Sequence, residues 1–171
     1  MELAMTGWLA GKTVRMVGDS PAIAAALEAQ GGARVCEGAS DILVHIARPA
    51  MATPAHDLSH AQWRGVIDAN LDQRFAQAQA FAAALRAARQ PGSVVFVGAP
   101  ERGFGADQAA AAGALANLTK TLGVEWARDG VRINTILTNA DNETLGNLVA
   151  YLASDYAAYV TGAVMGVGEG E

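Results

Sequence analysis

The chain has 171 residues, of which 51% are hydrophobic and 17% charged, as expected for one globular domain with a sizeable core. Its net charge of −5 and its two lysines, Lys12 and Lys120, argue against a nucleic-acid or anionic-membrane partner, because no basic stripe can meet phosphates. A single cysteine, no apolar run of about 18 residues and no signal-peptide pattern predict a cytoplasmic protein without a disulfide or a membrane span.

The first part of the chain predicts strands separated by one helix. β-forming residues at 13–17 predict a strand that enters a turn at Gly18, and a helix then ends at Gly31. A short strand is predicted at 33–36 and a buried strand at 41–46. Two neighbouring parallel strands normally need a crossover of about a dozen residues, so the short link between these two leaves two interpretations open. Either the strand at 33–36 is vestigial, or its connection is strained.

The second part alternates long helices with buried strands. Ser59 and Gln62 form a capping-box pattern for a helix from about 60 to 89, which ends at Pro91 and Gly92. The remaining predicted elements are a strand at 93–98, a helix at 107–127, a strand at 131–137, a helix at 142–153 and a strand at 162–167. This alternation predicts a single domain over residues 1–171, a doubly wound, Rossmann-like parallel sheet of five to six strands with helices on both faces.

Six blocks of the sequence, in order, resemble the short-chain dehydrogenase/reductase family. The blocks are GKTVRMVGDSPAIA (11–24), DILVHIA (41–47), WRGVIDANL (63–71), GSVVFVG (92–98), ALANLTKTLGVEWARDGVRINTI (114–136) and VAYLASDYAAYVTG (149–162). The resemblance implies that two segments of the family are missing here. One is a helix-strand-helix segment between Cys36 and Asp41, and the other is a substrate-binding lobe between Thr138 and Leu145.

The resemblance also implies that the catalytic groups are lost. The family's acid tyrosine falls on Gln108 and its lysine, four residues later on the same helix face, falls on Ala112. The family's serine falls at Gly98 or Ala99. Asn70 keeps the family's asparagine, which holds a water molecule and shapes a helix kink, so that its structural role can persist alone.

The nucleotide-binding turn is degenerate in the same comparison. The family's G-x-x-x-G-x-G pattern is represented by Gly18, Ala22 and Ala24, and Pro21 adds further bulk where backbone should approach a pyrophosphate. Glu37 is the one weak candidate for a carboxylate that meets the ribose hydroxyls, with a solvated surface carboxylate as the alternative. We therefore expect no bound cofactor, with NAD or NADP as the alternative.

Other candidate residues favour structural interpretations. His45, His56 and His60 lack the spacing of a metal site, and we interpret them as surface or loop histidines. Cys36 is interpreted as a small buried apolar residue. Arg48 and Arg102 border predicted strand ends, where they could meet an anionic ligand or simply be solvated.

These observations favour a non-catalytic member of the family that pairs with a full-length active one. In the family, the helices that correspond to 61–89 and 107–127 pack against a neighbouring subunit, and the segment that corresponds to 142–167 forms a second interface. The partner's substrate pocket could be completed by residues 168–171. The alternatives are a divergent NAD(P)-dependent oxidoreductase and a ligand-sensing or structural homo-oligomer.

The catalytic pair alone is predicted to be insufficient for activity. The double variant Gln108→Tyr with Ala112→Lys restores the acid and its neighbouring cation, but not the glycine-rich turn or the missing lobe that excludes water. We expect no NADH- or NADPH-dependent turnover in absorbance assays with carbonyl substrates. Measurable cofactor-dependent turnover in this variant would contradict the prediction.

Overall fold

A computed structural model describes residues 7–47, 52–100 and 102–168, and in this part of the chain six parallel strands form one sheet in the order β2-β1-β3-β4-β5-β6. The strands are β1 (Thr13–Val17), β2 (Ala33–Val35), β3 (Ile42–Ile46), β4 (Gly92–Gly98), β5 (Val131–Leu137) and β6 (Val164–Gly166). The α-helices are α1 (Pro21–Ala29), α2 (His60–Ile67), α3 (Gln73–Ala88), α4 (Ala106–Trp126) and α5 (Glu143–Ala153). The predicted doubly wound, Rossmann-like sheet is confirmed.

The helices cover the sheet in two layers, each with its own apolar core. On one face, α1 and α5 bury Ile23, Leu27, Leu145 and Val149 against alternate residues of the central strands. On the other face, α3 and α4 bury a second cluster against the remaining strand residues. The helical and strand members of that cluster are Ala78, Phe81, Ala82, Leu85, Leu115, Leu122, Leu43, Val94, Phe96, Val131 and Ile133. All five residues of β3 are buried, as expected for a parallel strand that is covered on both sides.

The link between β2 and β3 resolves the two interpretations of residues 33–36. The strands β2 and β3 lie on opposite sides of β1, and residues 36–41 cross from one side to the other. The strand β2 ends opposite Arg15, and β3 begins opposite Val14, so the chain steps back by only one register position. A long crossover is therefore unnecessary, and the short edge strand agrees with the vestigial interpretation. Cys36 is exposed in this link, so its interpretation as a buried residue is wrong.

The predicted helix over 60–89 is interrupted by a π-helical turn. The capping box at its start is present, because Ser59 accepts a hydrogen bond from the Gln62 N–H while the Gln62 side chain accepts one from the Ser59 N–H. The π turn, Asp68–Asp72, separates α2 from α3, and Asn70 Nδ2 in its middle donates to the Val66 carbonyl at 3.0 Å. This insertion lets the helix bend and changes which face α3 turns toward the sheet.

The carboxyl-terminal elements are held to β5 by side chains. The guanidinium of Arg132 donates to the Leu152 carbonyl at 2.7 Å and to the Ser154 carbonyl at 2.9 Å, which satisfies free carbonyls at the end of α5. The Asn134 amide bonds both the Val160 carbonyl and the Ala163 N–H, and so fixes the approach to β6. None of the helices in the described residues is both long and apolar enough to cross a membrane.

Glycine-to-alanine substitutions at two positions of α4 are predicted to have opposite effects on stability, because only one of the two glycines lies close to another backbone segment. A Cβ at Gly123 would lie 2.5 Å from Gly162 Cα, whereas a Cβ at Gly113 of the same helix would meet nothing within 4 Å. We expect Gly123→Ala to lower the free energy of unfolding by about 1–2 kcal/mol, because overpacking outweighs the gain in helix propensity. The matched variant Gly113→Ala is expected to raise it by about 0.5–1 kcal/mol. Urea unfolding measures both, and equal effects of the two variants would contradict this packing.

Candidate functional site

The direction in which the chain adds strands reverses at the carboxyl ends of β1 and β3. From β1 the chain first builds β2 on one side, and then β3 to β6 on the other. Crevices at such a switch point are where open parallel sheets bind ligands. Gly18 follows β1 with φ +84°, and a Cβ there would lie 2.2 Å from the carbonyl oxygen of Ile46 at the end of β3. The missing side chain of Gly18 therefore lets the ends of β1 and β3 come into contact, and it also permits the positive φ of the turn.

The amino terminus of α1, where a phosphate group would bind, is capped from within the chain. The hydroxyl of fully buried Ser20 accepts a hydrogen bond from the Ile23 N–H at 3.2 Å and donates to Asp141 Oδ1 at 2.6 Å. Asp141 comes from the short connection between β5 and α5. A carboxylate is favourable at this end of a helix, and the same negative charge repels a phosphate.

The other nucleotide-site candidates are arranged as follows. Ala22 and Ala24 are half-buried in the first turns of α1, and Gly146 of α5 packs so closely that a Cβ on it would lie 2.5 Å from the Ala22 carbonyl oxygen. The helix α5 thus covers part of α1 directly. Glu37 is exposed in the link after β2.

The four residues at the family's catalytic positions surround one small cavity at the carboxyl end of β4. Asn70, Ala99, Gln108 and Ala112 all line it. The cavity has about 10 Å³ of space, which is room for about one water molecule. These four residues therefore lie together in the structure, and the space among them is too small for a carbonyl substrate beside Gln108.

The cavity is also lined by a buried, charged arginine that the sequence analysis did not single out. Arg74 lines it and has no exposed surface. Its Nη2 donates to the Val97 carbonyl at 2.7 Å, its Cζ lies 5.7 Å from the centre of the Phe96 ring, and a Cβ on Gly98 would lie 3.3 Å from its Nη1. Burial lowers the pKa of Arg74 to about 10, so the guanidinium remains charged at neutral pH. In the sequence Arg74 follows Asn70 by four residues, and the π turn that contains Asn70 brings both side chains to the cavity.

His45 lies beside this arginine and is also buried. It is 5% exposed, and its ring meets Phe96 edge-on with the centroids 6.3 Å apart. Burial, together with the nearby Arg74 cation, lowers the pKa of His45 to about 4, so the imidazole is neutral at neutral pH. The interpretation of the histidines as surface or loop residues is wrong for His45, whereas His56 and His60 are exposed.

The remaining ligand candidates do not assemble into a site. Within residues 7–47, 52–100 and 102–168, no three His, Cys, Asp or Glu side chains are grouped closely enough to hold a metal ion. Arg102 is exposed, and Arg48 lies outside the described residues.

The outer face of α3 and α4 carries an open apolar groove. It has about 460 Å³ of space and runs between the two helices on the side away from the sheet. Its lining residues are Leu71, Asp72, Phe75, Ala114, Asn117, Leu118 and Thr121. Phe75 is 38% exposed, and Val124, one helical turn beyond Thr121, is 78% exposed. Large exposed apolar side chains that cluster on helices mark interaction surfaces.

The buried neutral His45 predicts that the protein loses stability in mild acid. An unfolded histidine titrates near pH 6.5, so between about pH 6.5 and 4 the unfolded chain binds a proton that the folded chain does not. The free energy of unfolding should therefore fall by about 2–3 kcal/mol from pH 7 to 4.5. Urea unfolding across this range checks the loss.

Two histidine variants isolate the source of that pH dependence. His45→Leu removes the titrating group and should abolish most of the loss, whereas His60→Gln at an exposed position should keep it. An unchanged pH dependence in His45→Leu would show that the acid sensitivity has another origin.

Comparison with known proteins relates this chain to one family of dehydrogenases and reductases. The model of a family described as enoyl-(acyl carrier protein) reductase matches residues 17–140. The chain is 31% identical to galactitol 2-dehydrogenase (L-tagatose-forming) of Cereibacter sphaeroides, over 95% of this chain and 76% of that protein. It is 29% identical to 3beta-hydroxysteroid dehydrogenase 1 of Eggerthella lenta, over 94% of this chain and 78% of that protein.

The alignment with the Eggerthella protein runs over 206 positions, more than the 171 residues of this chain, so that relative carries segments that this chain lacks. A short-chain dehydrogenase of Leptospira borgpetersenii, crystallised with NAD+, has the same fold, with a TM-score of 0.82 at 15% identity over 93% of this chain and 92% of that one. The chain belongs to the short-chain dehydrogenase/reductase family.

Proposed function

We propose that this chain is a non-catalytic short-chain dehydrogenase/reductase subunit that pairs with an active, full-length relative. The observation that carries the proposal is the open groove on α3 and α4, in a chain that has only a water-sized cavity at the family's catalytic positions. The partner would be stabilised as an oligomer, and its substrate pocket would be completed by the end of this chain, of which residues 169–171 lie outside the described part.

The groove supports pairing through helices. Its lining combines the short side chains of Ala114 and Thr121 with the larger apolar side chains of Leu71, Phe75 and Leu118. Small residues let a second helix approach closely, and apolar side chains then exclude water from the contact. These helices correspond to 61–89 and 107–127, the regions through which the family assembles.

The segment 142–167 supplies a second exposed apolar surface. Tyr159 is fully exposed, Tyr156 is 73% exposed and Tyr151 is 37% exposed, and Trp8 packs edge-on against Tyr156. Tyrosine and tryptophan are enriched at protein interfaces because they combine a large apolar area with a polar group.

The absence of a bound nucleotide is part of the proposal. A dinucleotide phosphate at α1 would meet the carboxylate of Asp141, which already bonds the helix-capping Ser20. The negative charges of the Asp141 carboxylate and of the phosphate would repel each other and so oppose binding. Turnover would further need a proton donor, and neither Gln108 nor Ala112 can supply one.

Co-expression tests the pairing. We expect the tagged chain to co-purify in fixed proportion with a dehydrogenase encoded beside it. Leu118→Arg should weaken this association at least about tenfold, because it buries a charge in the groove. The matched variant Ala25→Arg, on the exposed side of α1, should leave the association unchanged. A stable homo-oligomer that ignores every neighbouring dehydrogenase would overturn the proposal in favour of a structural or sensing role.

A divergent NAD(P)-dependent oxidoreductase is the second candidate, because the two relatives named above are dehydrogenases that align with nearly the whole chain. This candidate requires cofactor-dependent turnover by the isolated chain, with steroid, polyol and keto-sugar substrates as a first panel. Turnover that survives Leu118→Arg would favour it over the pairing proposal.

A further inference from the structure

We propose that Arg74 holds a small monovalent anion of halide size in the cavity at the carboxyl end of β4. This inference stands apart from the pairing proposal, because it concerns the interior of the chain and not its surface. It assigns a binding role to the space that the family's catalytic groups would otherwise fill.

The first support is the hydrogen bonding of the guanidinium. An arginine side chain carries five N–H donors, and Arg74 uses Nη2 to bond the Val97 carbonyl. Its Nε and Nη1 are buried and bond no group in the part of the chain that the structure describes. Buried donors of this kind nearly always have a partner, so the two nitrogens point to a ligand.

The second support is the balance of charge. No carboxylate of the described residues forms an ion pair with Arg74, and the neighbouring His45 is neutral. The Phe96 ring and the Val97 carbonyl offset only part of the cost of burying a cation, which is large when no counter-ion is present. An anion from solvent supplies the missing charge.

The third support is the size and lining of the cavity. Its space of about 10 Å³ is room for about one water molecule, so a chloride ion enters only if the lining side chains move outward slightly, and an anion as large as gluconate is excluded. Gln108 is 2% exposed and lines the same space, and its Oε1 also has no partner among the described residues. A half-turn of this amide exchanges Oε1 for Nε2 in nearly the same volume, so the side chain can donate to an anion beside Arg74.

Thermal unfolding in chloride and in gluconate at equal ionic strength tests the site. In the wild-type protein we expect the melting temperature to rise saturably with chloride, by about 3–5 °C at ten times the dissociation constant, and not with gluconate. Bromide should act like chloride. Equal melting temperatures in chloride and gluconate would overturn the proposal.

Two variants connect the response to the cavity. Arg74→Met removes the cation while keeping a long side chain, and it should fold because it also removes an uncompensated buried charge. Gln108→Glu is isosteric and places a carboxylate beside the guanidinium, which makes an external anion unnecessary. The chloride response should be lost in both variants, and a full response in Arg74→Met would place the anion elsewhere and refute the proposal.

Crystals of the wild-type protein grown in bromide give a readout that needs no variant. We expect an anomalous scattering peak within hydrogen-bond distance of Arg74 Nη1. Density for an ordered water molecule at that position, without an anomalous signal, would refute the anion site.

Discussion

The burial of β3, β4 and β5 on both faces is the constraint on which the rest of this structure depends. Parallel strands cannot be joined by tight hairpins, so each must be followed by a segment that returns along one face of the sheet. The helices α1 and α5 cover one face, and α3 and α4 cover the other. The carboxyl ends of the strands are thereby gathered at one edge, which is where the Arg74 cavity and the Ser20–Asp141 contact lie.

One short connection and one set of small residues determine the charges at that edge. The connection between β5 and α5 is so brief that it brings Asp141 to the amino terminus of α1, where a nucleotide phosphate would bind. On the other face of the sheet, small residues at 98, 99 and 112 leave space that the Arg74 guanidinium enters. The phosphate position therefore has a carboxylate that opposes a phosphate, whereas the catalytic position still has a positive charge, which comes from Arg74 and not from a lysine at position 112.

Much of the fold could be predicted from the sequence because its signals are local. The apolar runs at 13–17 and 131–137 coincide with the observed strands, and the capping box at Ser59 marks the start of α2. The π turn at Asp68–Asp72 has no comparable local signature, since its residues also suit an ordinary α-helix. The exposure of Cys36 depends on β2 being an edge strand, which the pairing with β1 decides and the local sequence does not.

The candidate site was predictable in position but not in chemistry. The register of α4 brings Gln108 and Ala112 to the same cavity, because leucines at a helical period fix which face of the helix is buried. The burial of Arg74 could not be predicted in the same way, since it depends on the absence of side-chain bulk at Gly98, which is distant in sequence. For His45 a signal did exist, because it lies within a continuous apolar strand that is covered on both faces.

The central proposal is that the edge of the sheet keeps the fold of its family but does not accept a dinucleotide. Isothermal titration calorimetry with NADH and NADPH, with an active family member as the positive control, tests this claim most directly. The account predicts no heat of binding to this chain at millimolar cofactor, in the buffer in which the control binds. A saturable heat with a micromolar dissociation constant would contradict it, and would return the protein to the cofactor-dependent enzymes of its family.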